Sequence, residues 1–140
     1  MRNRQAQNPK RRIADPGTWT PEALEALLQT ASYVGSANHK RRPADYGFHP
    51  PVNPRPHKSL CDDLRPLLLK EAQRLFIDGI RRGMVSAYRI DGFPKYVWAV
   101  DEDGEVYEAK RDRDGYHGYR LDQANEEHQR EYVLQAWKQR

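Results

Sequence analysis

The fold turns on residues 95–119, Lys-Tyr-Val-Trp-Ala-Val-Asp-Glu-Asp-Gly-Glu-Val-Tyr-Glu-Ala-Lys-Arg-Asp-Arg-Asp-Gly-Tyr-His-Gly-Tyr. Lys95 to Val100 is rich in β-branched and aromatic residues, and Glu105 to Lys110 alternates apolar with polar. Both patterns read as strands. Asp101-Glu102-Asp103-Gly104 forms a turn between them, and Asp112-Arg113-Asp114-Gly115 a second turn, after which Tyr116-His117-Gly118-Tyr119 reads as a short further strand. Upstream, Met84 to Ile90 alternates weakly and Asp91-Gly92-Phe93-Pro94 makes another turn. The expectation is an antiparallel meander of three to four strands.

Helical patterns flank this meander. Leu64, Leu67, Leu68, Ala72, Leu75, Phe76 and Ile80 form one apolar stripe. Asp62 or Asp63 caps its start, and Gly83 after Arg81-Arg82 marks its stop. Thr20-Pro21-Glu22 opens an earlier helix carrying Leu24, Leu27, Leu28 and Ala31. A last helix from Asn125 to Lys138 is expected to turn Tyr132, Val133, Ala136 and Trp137 inward. The predicted class is α+β: a small antiparallel sheet packed with about three helices on one face, plus a long Pro-rich basic loop. At 140 residues this is one domain, spanning residues 19–140. Residues 1–18, basic and almost without large apolar side chains, are expected to form a mobile arm.

Hydrophobic residues make up 37 % of the chain and charged residues 31 %, so a sizeable part should lie in loop or tail. The loop is residues 33–62, which hold five of the ten prolines and the aromatics Tyr33, Tyr46 and Phe48. Neither helix nor sheet tolerates that proline density. Residues 1–60 carry ten Lys and Arg against four Asp and Glu, whereas the remainder carries 14 basic and 16 acidic side chains. A basic half attracts phosphate. The single cysteine, Cys61, excludes an internal disulfide and a multi-cysteine zinc site. No apolar run approaches the length of a membrane span, and the start lacks the apolar stretch of a secretory signal. The expectation is a cytoplasmic protein with no membrane partner, no cofactor and no metal.

Three constellations offer chemistry. Asn38-His39-Lys40-Arg41-Arg42 with Asp45-Tyr46-Gly47 places a titratable imidazole among cations. That combination suits metal-free RNA cleavage, which needs a base for the 2′-hydroxyl, cationic stabilisation and an acid for the leaving oxygen. Arg55, His57 and Lys58 are held in a stiff Pro-x-Pro setting. Tyr116-His117-Gly118-Tyr119 offers tyrosines for base stacking and His117 as a second acid/base group, or else a packed sheet edge. Lys95, Lys110 and Arg111 are expected to line the same face. The catalytic candidates are thus His39, Lys40, His117 and Tyr46, and the nucleic-acid contacts Arg41, Arg42, Arg55, Lys58, Lys110, Arg111 and Tyr116.

Two blocks, Tyr33-Val34-Gly35-Ser36 through His39-Lys40 to Lys58-Ser59-Leu60-Cys61-Asp62, and Val97-Trp98-Ala99-Val100 through Tyr116-His117-Gly118-Tyr119, resemble a group of small, uncharacterised bacterial proteins. More distantly, His39-Lys40 with Asp45-Tyr46-Gly47, followed by a helix and the meander, is similar to the colicin D-like and RelE-like ribonuclease toxins. That resemblance implies metal-independent cleavage of RNA, often tRNA, and carries over to His39 and Lys40. The Pro-rich insert of residues 50–56 departs from the colicin pattern. The expected function is RNA cleavage or RNA binding, as a toxin or phage-defence effector with an antitoxin or immunity protein as partner. The alternative is a non-catalytic interaction subunit of a defence or mobile-element complex, docking through the basic Pro-rich loop.

Overall fold

Every residue of the strand Tyr96–Val100 is buried in the computed structural model, which describes residues 8–35, 69–113 and 115–140. A strand dry on both sides needs a layer on each face, and the helices supply both. The element order is a 3-10 helix Pro9–Arg11, α1 Pro21–Thr30, α2 Leu69–Arg81, β1 Arg89–Ile90, β2 Phe93–Pro94, β3 Tyr96–Val100, β4 Val106–Asp112, β5 Gly115–Arg120 and α3 Glu127–Lys138. Strands β3-β4-β5 form one antiparallel sheet and β1-β2 a separate hairpin. The α+β class is as expected, and the Tyr116 segment is a full strand of the meander.

Helices α1 and α2 cover one face, where Leu27, Ala72, Phe76 and Ile80 pack with Val97, Tyr107, Ala109 and Tyr116. Helix α3 covers the other, with Val133 among Ile13, Met84, Tyr96, Trp98, Val106 and Leu121. The expectation of helices on one face is therefore corrected. β3 is apolar on both faces, and α3 is the element that dries the second. On α3 Gln129 and Val133 are fully inward and Ala136 and Trp137 pack against the same core as expected, whereas Tyr132 is 39 % exposed. The Tyr132 hydroxyl still serves packing, by accepting a 2.9 Å hydrogen bond from the Ile13 amide.

Local signals act as their chemistry dictates. The Thr20 hydroxyl accepts from the Ala23 amide at 3.1 Å and starts α1. Gly83 adopts φ +73° and stops α2. Gly79 lets α2 sit close on the sheet, because a Cβ there would run into the Trp98 carbonyl oxygen. The expected cap at Asp62 or Asp63 and Leu64, Leu67 and Leu68 lie outside the described residues.

Residues from the N-terminal quarter close one edge of the sheet directly and back the segment that closes the other. On one side Val85 bridges Val97, and Ile13 in turn bridges Ser86, with the Ala14 amide donating to the Val85 carbonyl at 2.8 Å. On the other side Tyr33 bridges Tyr116, and the Tyr116 amide donates to the Ser32 carbonyl at 2.7 Å. Residues 8–18 are thus part of the fold and not of an arm. Ile13 and Ala14 are 4 % and 2 % exposed, and Arg11 is committed to a buried ion pair. Residues 1–7 lie outside the described residues.

Candidate nucleic-acid interface

The α3-side face of the sheet is organised in rows across the three strands. Val100 pairs with Val106, Trp98 with Glu108 and then Tyr119, and Tyr96 with Lys110 and then His117. The rows therefore run from apolar, through a buried polar row, to a cationic row at the open end.

The middle row is an anchor. Glu108 is 1 % exposed and accepts hydrogen bonds from Trp98 Nε1 at 2.8 Å, Arg11 Nε at 3.0 Å and the Tyr119 hydroxyl. Arg11 Nη2 also reaches Glu126 Oε2 at 3.1 Å. Burial works to lower the Arg11 pKa, but Glu108 and Glu126 outweigh it and hold the guanidinium above its ordinary value. Burial raises the Glu126 carboxyl in spite of Arg11. Burial, then Glu108, pushes the Tyr119 phenol well up. A buried carboxylate is tolerated here because each donor is charged or otherwise shut off from water.

The anchor sets what lies beside it. Arg11 points inward, so its neighbour Lys10 stays on the surface, with Nζ 5.2 Å from the ring centre of Tyr88. Lys95 Nζ lies 5.9 Å from that ring and 5.7 Å from the ring of Tyr96. Tyr88 is 40 % exposed. Burial, then the charges of Lys110 and Lys10, lowers the Lys95 pKa. Two ammonium groups therefore flank one exposed aromatic ring, Lys110 stands near enough to Lys95 to act on its charge, and among the described residues none of the three pairs with a carboxylate.

His117 closes the row. Its Nε2 is 3.5 Å from Asp112 Oδ2, and its side chain is 14 % exposed. The Arg113 amide, and more weakly His117, hold the Asp112 carboxyl below its usual range. An imidazole beside Lys110 with a carboxylate behind it has the parts of an acid/base group next to a phosphate site.

Of the sequence candidates, Lys110 and His117 come together here with Lys95. Arg111 does not join them; it lies on the opposite face, with its guanidinium 3.8 Å from the ring centre of Phe93. Tyr116 is fully buried against Phe76 at 4.9 Å between ring centres, and its hydroxyl donates to the Pro94 carbonyl. The packed-edge alternative describes it, and base stacking does not, because no face of the ring is open. His39, Lys40, Arg41, Arg42, Tyr46, Arg55 and Lys58 lie outside the described residues. Lys10 and Tyr88 escaped the sequence reading. The available signal for Tyr88 was an aromatic residue just before the tight turn at Asp91-Gly92.

Among the described residues no group of three or more His, Cys, Asp or Glu is placed to hold a metal ion. No helix among them is long and apolar enough to cross a membrane. The cavity between α2 and the sheet, lined by Tyr33, Phe76, Val97, Ala109 and Gly118, is about 30 Å³ and has room for about one water. No family model, curated protein or solved structure matches the chain. Fold and surface alone define the class: an α+β domain whose sheet ends in a cationic row beside an exposed tyrosine.

Proposed function

We propose that this chain is an RNA-binding protein that holds backbone phosphates with Lys10, Lys95 and Lys110 and a base against Tyr88. The observation that carries the reading is a group of three lysines, without carboxylate partners among the described residues, two of which flank the exposed ring of Tyr88. Burial, and after it the neighbouring lysines, disfavour the Lys95 ammonium, and a polyanion laid on this surface would offset that cost. Aromatic rings beside lysines suit an unpaired strand, whose bases are free to stack. In the enzymatic form of the proposal, His39 is the base and His117 the acid of a metal-independent cleavage, with Lys110 at the scissile phosphate.

The test has two arms. A fluorescein-labelled ten-nucleotide RNA is titrated with the full chain by anisotropy between 50 and 200 mM salt. Three lysines on a single strand give a log–log slope of about −2, equivalent to about a 20-fold loss of affinity over that range. Lys95→Ala and Lys110→Ala should each reduce the slope by about 0.7. No binding, or binding indifferent to both lysines, refutes the reading and favours the interaction subunit. In the second arm, RNA from cells expressing the wild type, His39→Ala or His117→Ala is run on a denaturing gel. Fragments that persist in both variants refute the assignment of roles.

A further inference from the structure

Beyond the lysine row lie two guanidinium groups with an unusual disposition. Arg89 Cζ sits 3.9 Å from the ring centre of Trp19, and Arg111 Cζ sits 3.8 Å from that of Phe93. Trp19 is 7 % exposed and its Nε1 donates to the Ser86 carbonyl at 3.3 Å, so the indole is fixed. Arg89, by contrast, is exposed. Neither arginine pairs with a carboxylate among the described residues.

The molecule contains its own comparison. Arg82 stacks on Trp137 with nearly the same geometry, 4.0 Å, but its Nε is 3.3 Å from Asp78 Oδ1. That stack is neutralised by Asp78 of α2. The stacks at Arg89 and Arg111 keep their charge. A planar guanidinium with one face on an aromatic ring and no acid at its edge presents a second face to a base and its N–H groups to phosphate.

Topology separates the two stacks. Arg111 is held between Phe93 and the ring of Tyr116, at 3.8 and 5.8 Å, on the face opposite the lysine row. Arg89 instead follows Tyr88 on the β1-β2 hairpin, where it pairs with Pro94. Lys95 follows Pro94 directly, and its amide donates to the Tyr88 carbonyl at 3.0 Å. The hairpin thus carries lysine-flanked Tyr88 at its base and ring-backed Arg89 beside it.

We infer that Arg89 on Trp19 is a base-stacking platform that extends the RNA site from the lysine row and Tyr88 along the hairpin, which selects single-stranded, purine-containing RNA. This rests on the RNA-binding reading and adds a second contact to it. The lysines supply salt-dependent affinity, whereas the ring-backed guanidinium of Arg89 supplies a stacking contribution that depends on the base.

The experiment compares oligo(rA) and oligo(rU) of ten nucleotides and a blunt ten-base-pair RNA duplex. The proteins are the full-length wild type, Arg89→Lys, Arg89→Gln and Arg82→Lys. Lysine keeps the charge and removes the planar stack. Arg89→Lys should bind oligo(rA) about five- to tenfold more weakly, lose less on oligo(rU), and keep the wild-type salt slope. Arg82→Lys should bind as the wild type does. Thermal melting confirms folding, and where Arg89→Lys fails to fold, Arg89→Gln decides on the preference for oligo(rA) over oligo(rU). Binding of the Arg89 variant to oligo(rA) within twofold of wild type overturns the inference, as does an equal loss in Arg82→Lys or equal affinity for the duplex. In those cases an intact lysine-dependent salt slope leaves the RNA-binding reading standing. Loss of that slope defeats both.

Discussion

Truncating Glu108 to alanine tests the anchor on which the cationic row is built. The substitution removes the acceptor shared by Arg11 Nε, Trp98 Nε1 and the Tyr119 hydroxyl. Arg11 keeps Glu126 at 3.1 Å, so its charge is half-compensated. Trp98 is fully buried and has no route to water for its N–H. Removing one partner of a buried pair costs about 3–5 kcal/mol, and each orphaned buried donor about 1–3 kcal/mol, contributions that overlap. A loss of about 4 kcal/mol is expected. For a chain of 140 residues the unfolding entropy is about 0.3 kcal/mol/K, so Tm falls by about 14 °C. Glu108→Gln keeps the shape and an acceptor for Trp98 but gives up the charge, so it should lose about half as much. Calorimetry at pH 7 measures both. The functional consequence is separate. Arg11 fixes the segment that presents Lys10, so at a temperature where Glu108→Gln is folded, its salt slope for RNA should fall toward that of Lys10→Ala. A Glu108→Ala protein within about 1 kcal/mol of wild type would show that the polar row contributes little. An unchanged slope in Glu108→Gln would show that Lys10 is placed by something else.

Three further outcomes follow from the same geometry. Lys95→Gln should raise Tm at pH 7 by about 1–2 °C while weakening RNA binding, because relief of the burial cost and of like-charge repulsion at a surface is worth a few tenths of a kcal/mol. The Lys95 pKa is lowered in the fold, so its charged form costs stability at neutral pH, and the advantage of Gln should shrink as pH rises through that lowered value toward 10.5. Burial raises the Glu126 pKa, so its contribution is full below its ordinary value of 4.5 and is lost as pH climbs through the folded value. Melting curves from pH 4 upward should therefore show wild type losing ground to Glu126→Gln. Gly79→Ala should cost about 2 kcal/mol in urea unfolding despite alanine's better helix propensity, since the added carbon meets the Trp98 carbonyl and lies 3.1 Å from Val97 Cγ1.

Local chemistry made the helix starts and stops readable. Thr20-Pro21-Glu22 and Gly83 act within a few residues of themselves, and the turn-and-strand rhythm of residues 95–119 carries its own register. What stayed hidden depends on partners far along the chain. Arg11 looks like one of several surface cations, and nothing near it announces that its acid lies 97 residues away. Tyr116 and Tyr119 sit three apart in one strand and so face opposite ways, one into the α2 core and one onto Glu108. Their spacing to His117 gives no hint of which face is dry. The lysine row was half visible: Lys95 and Lys110 were readable as neighbours across a hairpin, but Lys10 reaches them only because the N-terminal segment folds back over the sheet. Arg111 was misplaced by one step of strand alternation, which carries it to the other face.

The pairing of residues 8–35 with both flanks of the sheet has a bearing on how the chain behaves while it is being made. Ile13 and Tyr33 emerge early, yet their partners Ser86 and Tyr116 follow 73 and 83 positions later. Until then Ile13 and Tyr33 have no strand of their own chain to pair with, and an unpaired extended segment is a template for a neighbour's strands. The same dependence makes residues 8–35 a natural unit of exchange: handed from one copy to another, they would satisfy the same backbone partners in trans. A chain shortened past Tyr33 should accordingly self-associate, and supplying residues 8–35 as a separate peptide should return it to monomer.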